Sequence, residues 1–320
     1  MKSNWLSYHI FYNKDLDFII IKLIVPLLES IIKKFSVKQY FFIRYWEDGA
    51  HIRLRLLTRN KNDKSDLHNY INNYLENYIG TSNESEIVNY IQSEYTPETA
   101  RYGGNTGVKI AEKQFYTSSQ VILWLIKNSG DWNYNMAFKY SILLNILFLL
   151  SFKLNQEEID SFLNHFTADW INFIFKNPYA LKDEFKEEYD HRLSSFNALF
   201  IKQKDQLIRI YTEYIVAAKN DSIESPDLLK WLNDNRLIYS LLLKAEKENK
   251  ITQLDEGFKN LNNPFNDHNF TKWKIYGSYM HMTNNRLGIL NQDEAYIAYI
   301  VKMIFAEYYI RKNDIERKNP

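Results

Sequence analysis

Hydrophobic positions along the first hundred residues recur with two different periods. Trp5 to Tyr12 alternates aromatic and polar residues, the period of a half-buried strand. Leu16 to Phe35 carries Ile19, Leu23, Leu27 and Ile31 at helical spacing, with Pro26 inside it. A proline there removes a backbone donor and should kink or restart the helix. Two β-forming runs, 38–46 and 51–58, flank Asp48-Gly49, a dipeptide suited to the positive φ of a hairpin turn. Beyond a polar loop at 58–65, Leu67, Tyr70, Ile71, Tyr74, Leu75 and Tyr78 mark one face of a helix that stops near Gly80. Glu86 to Glu94 alternates as a fourth strand.

This β-α-β-β-α-β order is that of a ferredoxin-like unit, in which both helices cover one face of the sheet. Here that face is the Ile52, Leu54 and Leu56 side. The rest of the chain has helical patterning. Helices are expected at 108–127, 136–152, from Asn155 with Glu158 as a capping pair to before Pro178, through 180–218 as one helix or two, and from Ser225-Pro226. Lys250 to His268 is an Asn-rich loop. Two last helices, 269–286 and 292–312, are separated by Gly288, the second restarting at Asn291 with Glu294. The expected fold class is therefore α+β, an N-terminal ferredoxin-like sheet (1–104) whose open face is covered by a large helical C-terminal part (105–320). No linker rich in Pro, Gly or Ser separates the two, so they should act as one body.

The hairpin also raises an electrostatic question. With Trp46 paired to His51, Arg44 would stand directly opposite Arg53, and Arg55 one step along the same face, beside Trp46 and Phe42. Like charges across a ladder are destabilising, and a guanidinium does not relieve this by losing its proton. Either a bound carboxylate or phosphate neutralises the face, or surface acids of the same chain do; the hairpin alone slightly favours the second. A one-residue bulge would break the register.

The totals narrow the classes. At 320 residues the chain can bury a full core. Lys+Arg 40 against Asp+Glu 39 gives a net charge of +1, which supplies no global field for nucleic acid or anionic membrane. The absence of cysteine excludes disulfides and thiolate chemistry and fits a reducing compartment. Neither a signal peptide nor a membrane span is expected, the longest apolar stretch being Ile142 to Phe152, so a cytoplasmic protein is. With 9 glycines and 6 prolines, long regular elements are favoured.

Two further segments carry candidate chemistry. Tyr95-Thr-Pro-Glu-Thr-Ala-Arg-Tyr-Gly-Gly104 is a shaped loop from which Arg101 can reach across the open sheet face, or equally stay solvated. Its glycines match neither phosphate-loop spacing. His281 lies at the margin of the stripe formed by Trp273, Tyr276 and Met280, a place where histidines are more often structural, although its ordinary pKa near ~6.5 suits proton transfer. His9, His68, His165, His191 and His268 show no metal-ligand spacing, so no metal or other cofactor is expected.

Together, Phe41-Phe-Ile-Arg-Tyr…Gly49-Ala-His-Ile-Arg-Leu-Arg-Leu56, Tyr95-x-Pro-Glu-x-x-Arg-Tyr-Gly-Gly104 and His281-Met-x-x-Asn-Arg-Leu-Gly288 resemble the C-terminal domain of class I lantibiotic dehydratases, which also occurs alone as the thiopeptide-type bacteriocin biosynthesis protein. The resemblance runs from Trp5 to the last helix. It implies an elimination-type domain that expels glutamate from glutamylated Ser or Thr of a ribosomal precursor peptide, leaving dehydroalanine or dehydrobutyrine. Carried onto this chain, it makes His281, Arg53, Arg55 and Arg101 the catalytic candidates; the substrate-binding candidates are Arg53 and Arg101 together with Arg44 and His51 of the hairpin. The glutamylating domain of the full-length enzymes does not fit in 320 residues. The implied arrangement is a split dehydratase, in which a separate tRNA-dependent subunit glutamylates and this chain binds no tRNA; a homodimer is left open. Two other functions stay in play, a cycloaddition enzyme that builds a pyridine ring from two dehydroalanines, and a non-catalytic subunit that presents precursor peptide.

Overall fold

The computed structural model describes residues 4–60, 63–81, 88–175, 182–251 and 269–318. Strands β1 (Trp5–Tyr12), β2 (Val37–Tyr45), β3 (His51–Thr58) and β4 (Val88–Gln92) form one antiparallel sheet in the order β2-β3-β1-β4. Between β1 and β2 run α1 (Leu16–Ile19), a π-helical stretch at Ile20–Ile24 and α2 (Val25–Lys34). Pro26 falls just after the π-helical stretch, whose wider turn accommodates the ring and its missing N–H without ending the helix. Helix α3 (Asp63–Thr81) joins β3 to β4. It covers the face holding Leu6, Tyr8, Ile10, Ile52, Leu54 and Leu56, as the 2.6 Å hydrogen bond between the Tyr8 hydroxyl and His68 Nδ1 records.

The hairpin departs from its expected register. Tyr45, not Trp46, pairs with His51, so the connection is one residue longer and β2 is displaced by one position. A one-residue slip sends every side chain to the opposite face. Arg44 and Phe42 therefore lie with Ile52 and Leu54, and Ile43 stands opposite Arg53. The expected Arg44–Arg53 juxtaposition is thus absent, and its repulsion with it. The turn chemistry itself holds: Asp48 (φ 61°) and Gly49 (φ 109°) take left-handed backbone, and Gly49 N–H donates to Trp46 O at 3.1 Å.

After a 3₁₀ turn at Thr99–Tyr102 the chain is helical: α4 (Gly104–Asn128), α5 (Tyr134–Ser151), α6 (Gln156–Phe175), α7 (Lys182–Ile201), α8 (Lys204–Lys219), α9 (Pro226–Lys247), α10 (Phe270–Leu287) and α11 (Asn291–Lys318). The Asn155–Glu158 capping box forms reciprocally, at 3.0 and 2.9 Å, and Ser225 caps α9. Most of the expected Asn-rich loop, from 252 to 268, lies outside the described residues. Helix α5 is apolar almost all round and, contrary to expectation, is long and apolar enough to cross a membrane by length and composition; 61% of it is buried in the protein.

The helical part meets the sheet along the β2 edge. Helix α4 straddles that edge, with Phe115 against Phe41 on one face and Tyr116 against Tyr40 on the other. It closes only one end of the arginine face. Ser7, Phe41 and Arg55 are buried there, whereas His9 and Arg53 are half-buried and Ile91 is exposed. An edge strand presents unpaired backbone groups, and here side chains satisfy them. Phe42 N–H donates to Ser119 Oγ (3.3 Å), Arg44 N–H donates to Asn285 Oδ1 (3.0 Å), and Asn285 Nδ2 donates to Arg44 O (3.0 Å). The Asn285 amide thus replaces a neighbouring strand. Asn285→Ala leaves two buried backbone groups without partners, which should cost about 2–4 kcal/mol. Denaturant unfolding of the variant measures this; an unchanged midpoint would mean that the β2 edge is held by other contacts.

Candidate active site

Helices α6 and α10 and the loop after β4 enclose a pocket of about 250 Å³, lined among others by Arg101, Asp169, Trp170, Lys274, Ser278 and His281. Gly277 lets the two helices close on each other, since a Cβ at that position would stand 3.1 Å from the Phe166 ring. Lys274, Ser278 and His281 succeed one another along one face of α10, at intervals of four and three residues.

His281 is held from behind. Helix α10 ends at Gly288 (φ 87°), a left-handed cap, and the tight reversal into α11 brings Glu294 back alongside it. Glu294 Oε1 lies 2.7 Å from His281 Nδ1, and the carboxylate is fully buried. Its other oxygen accepts from Asn284 Nδ2 at 3.1 Å, and Asn284 Oδ1 in turn accepts from Ser141 Oγ at 2.7 Å. A carboxylate accepting from Nδ1–H fixes the tautomer and makes Nε2 the basic nitrogen. The ring packs against Trp170 with centroids 5.0 Å apart and keeps a side-chain exposure of 19% at the pocket wall.

Arg101 reaches the same pocket from the loop. Arg101 N–H donates to Glu98 O at 3.1 Å within the 3₁₀ turn, and Tyr102 anchors the turn, stacked on Tyr279 and edge-on to Phe115. The guanidinium donates through Nε to Ser278 Oγ (3.0 Å) and through a terminal nitrogen to Glu98 (3.3 Å). Gly103 (φ 78°) and Gly104 (φ 90°) turn the chain into α4.

The remaining sequence candidates are distributed differently. Arg55 lies on the sheet face beneath this loop, its guanidinium over the rings of Tyr95 (4.5 Å) and Phe41 (5.4 Å) and its Nε without a partner. Burial pushes it down to about 10, and the charge of Glu98 acts on both Arg55 and Arg101. Arg53 is one pair further along, 3.3 Å above the Tyr45 ring, its Nε donating to His51 Nε2 at 3.1 Å. With that acceptor role and Nδ1 2.8 Å from Gly49 O, both His51 nitrogens are engaged, and burial lowers its pKa. His9, across the ladder from Arg53, is lowered to about 4 by burial and by the arginines. Arg44 is on the other face, bonded to Asp17 and to the carbonyl of Arg286. The structure therefore brings Arg101 and His281 to one pocket, sets Arg55 behind their loop, and places Arg53, His51 and Arg44 outside its lining.

Two residues were missed in the sequence. Glu294 reads as a helix-start acid after Asn291, and nothing local ties it to His281. Arg286 is fully buried, donating to Ser119 Oγ and Met282 O, its charge over the Phe115 ring at 5.0 Å; burial lowers it to about 9. Its signal was available, because Tyr279, Met282 and Arg286 share one buried helical stripe.

A histidine backed by a buried carboxylate, sharing a small pocket with an arginine on an α+β scaffold, makes a site suited to proton transfer beside an anionic group. The chain belongs to the lantibiotic biosynthesis dehydratase C-terminal family, whose model matches residues 5–305. It is 25% identical over 227 residues to the epidermin biosynthesis protein EpiB of Staphylococcus epidermidis, a match covering 66% of this chain and 22% of that one. The chain thus spans about a fifth of that relative. Two solved structures share the fold: the tRNA-dependent lantibiotic dehydratase MibB from Microbispora sp. 107891 (TM-score 0.60, 15% identity, 99% of this chain and 29% of that one) and the pyridine synthase TbtD from thiomuracin biosynthesis (TM-score 0.67, 10% identity, 96% and 100%).

Proposed function

We propose that this chain eliminates glutamate from glutamylated Ser and Thr residues of a ribosomally made precursor peptide, acting as a carbon–oxygen lyase. The observation that carries this reading is the meeting of Arg101 and the Glu294-backed His281 in one pocket. Nε2 of His281 takes the Cα proton of the modified residue. The released electron pair forms the Cα=Cβ bond, the Cβ–O bond breaks, and its pair departs on the glutamate carboxylate. Arg101 opposes the negative charge that develops on that carboxylate, with Arg55 and Arg53 extending the positive field from the sheet. In this reading a ferredoxin-like unit (1–104) supplies the arginines and the helical region (105–320) supplies the histidine. Arg44 has no part in it, because its guanidinium is bound on the opposite face. Glutamylation is done outside these residues, by a tRNA-dependent partner that resembles the rest of the larger dehydratases.

The second reading, cycloaddition of two dehydroalanines to a pyridine, is favoured by the full-length fold match to TbtD. Substrate separates the two. A peptide carrying glutamyl esters should be converted and one already carrying two dehydroalanines returned unchanged; ring formation from the second with no action on the first would replace elimination by cycloaddition.

A further inference from the structure

In the same pocket, Lys274 and Asp169 form a close ion pair, with Nζ 2.6 and 2.5 Å from the two carboxylate oxygens. Neither has a role in the elimination step. Their exposures are unequal: the Lys274 side chain is 8% exposed, whereas that of Asp169 is 39% exposed and forms part of the pocket wall. Both residues line the pocket, and the more exposed member of the pair, the one a ligand can reach, is Asp169. Lys274 precedes His281 by seven residues on the same helix, about 10 Å along its axis.

We infer that Asp169 receives the free α-ammonium group of the departing amino acid, with Lys274 as the residue that positions it; this rests on the elimination reading above. A glutamyl ester formed through its α-carboxyl carries an ammonium on the adjacent carbon and a second carboxylate further on. A pocket lined by both an arginine and an accessible aspartate offers partners for both signs of such a ligand. A simple acid would leave the exposed side of the Asp169 carboxylate with no partner from the ligand. The aspartate therefore selects amino acids over plain carboxylic acids as leaving groups.

The test compares peptides esterified on serine with glutamate and with glutarate, its analogue lacking the ammonium. The native chain should turn over the glutamyl ester about 10- to 100-fold faster in kcat/KM, as for loss of a charge-assisted hydrogen bond. Asp169→Asn should reduce the glutamyl rate to the glutaryl rate and leave the glutaryl rate unchanged. Asp169→Asn with Lys274→Gln, which leaves no uncompensated buried charge, should do the same. Equal native rates on both esters, or equal losses on both in the double variant, would overturn the inference while leaving elimination standing. Failure of the native chain on both esters would instead remove the elimination reading, and this one with it.

Discussion

Replacing His281 by alanine is expected to stop product formation while the glutamylated peptide persists, a loss of about 10²- to 10⁴-fold, the range associated with a positioned general base. The expectation follows from the hydrogen-bond chain behind the ring. Ser141 donates to Asn284, Asn284 donates to Glu294, and Glu294 faces Nδ1, which leaves Nε2 for the substrate. Glu294→Gln keeps the volume but offers an amide where the carboxylate was, and no longer enforces the Nδ1–H tautomer. Its activity should fall between native and His281→Ala, by about tenfold or more. Rates measured by mass spectrometry over a pH series would test this ordering. Native turnover in the His281→Ala variant would make the histidine a packing residue against Trp170.

Gly107→Ala should be strongly damaging. A Cβ there would sit 1.6 Å from the carbonyl oxygen of Tyr102 and 2.7 Å from its carbonyl carbon, and both belong to backbone that no side-chain rotation can move aside. The 3₁₀ turn would have to shift, and Arg101 with it. A loss of about 2–4 kcal/mol in stability is expected, of the order of a serious core clash, together with loss of activity. Gly80→Ala is the control, because nothing lies within 4 Å of a Cβ at that position in α3. It should be neutral or slightly stabilising, since alanine is the better helix former. Thermal unfolding of both variants decides the point; equal Tm values would show that the turn yields without cost.

Local pattern made most elements legible in the sequence. Alternation placed β1, the tyrosine and leucine stripe placed α3, and the Asn155–Glu158 and Ser225-Pro226 signals marked two helix starts that the structure keeps. Register was not legible, because Asp48-Gly49 takes the left-handed conformations expected of it yet sits in a connection one residue longer than the expected pairing of Trp46 with His51 gives. That single residue decides on which face Arg44 falls. The candidate site was legible where a motif lies in one stretch, as for Arg101 and His281. It was hidden where two distant stretches meet: Glu294 reaches His281 only after the turn at Gly288, and Asp169 meets Lys274 across 105 residues. Part of the third motif turned out to support the scaffold, with Asn285 closing the β2 edge and Arg286 buried beside Phe115.

The most direct test of the central claim is the intact mass of a peptide glutamylated on a single serine, followed during incubation with the native chain. Elimination predicts a product one water lighter than the unmodified peptide, with free glutamate released in equal amount. A product with the mass of the unmodified peptide would mean ester hydrolysis, and an unchanged glutamyl peptide would mean no chemistry at all; either result contradicts the account.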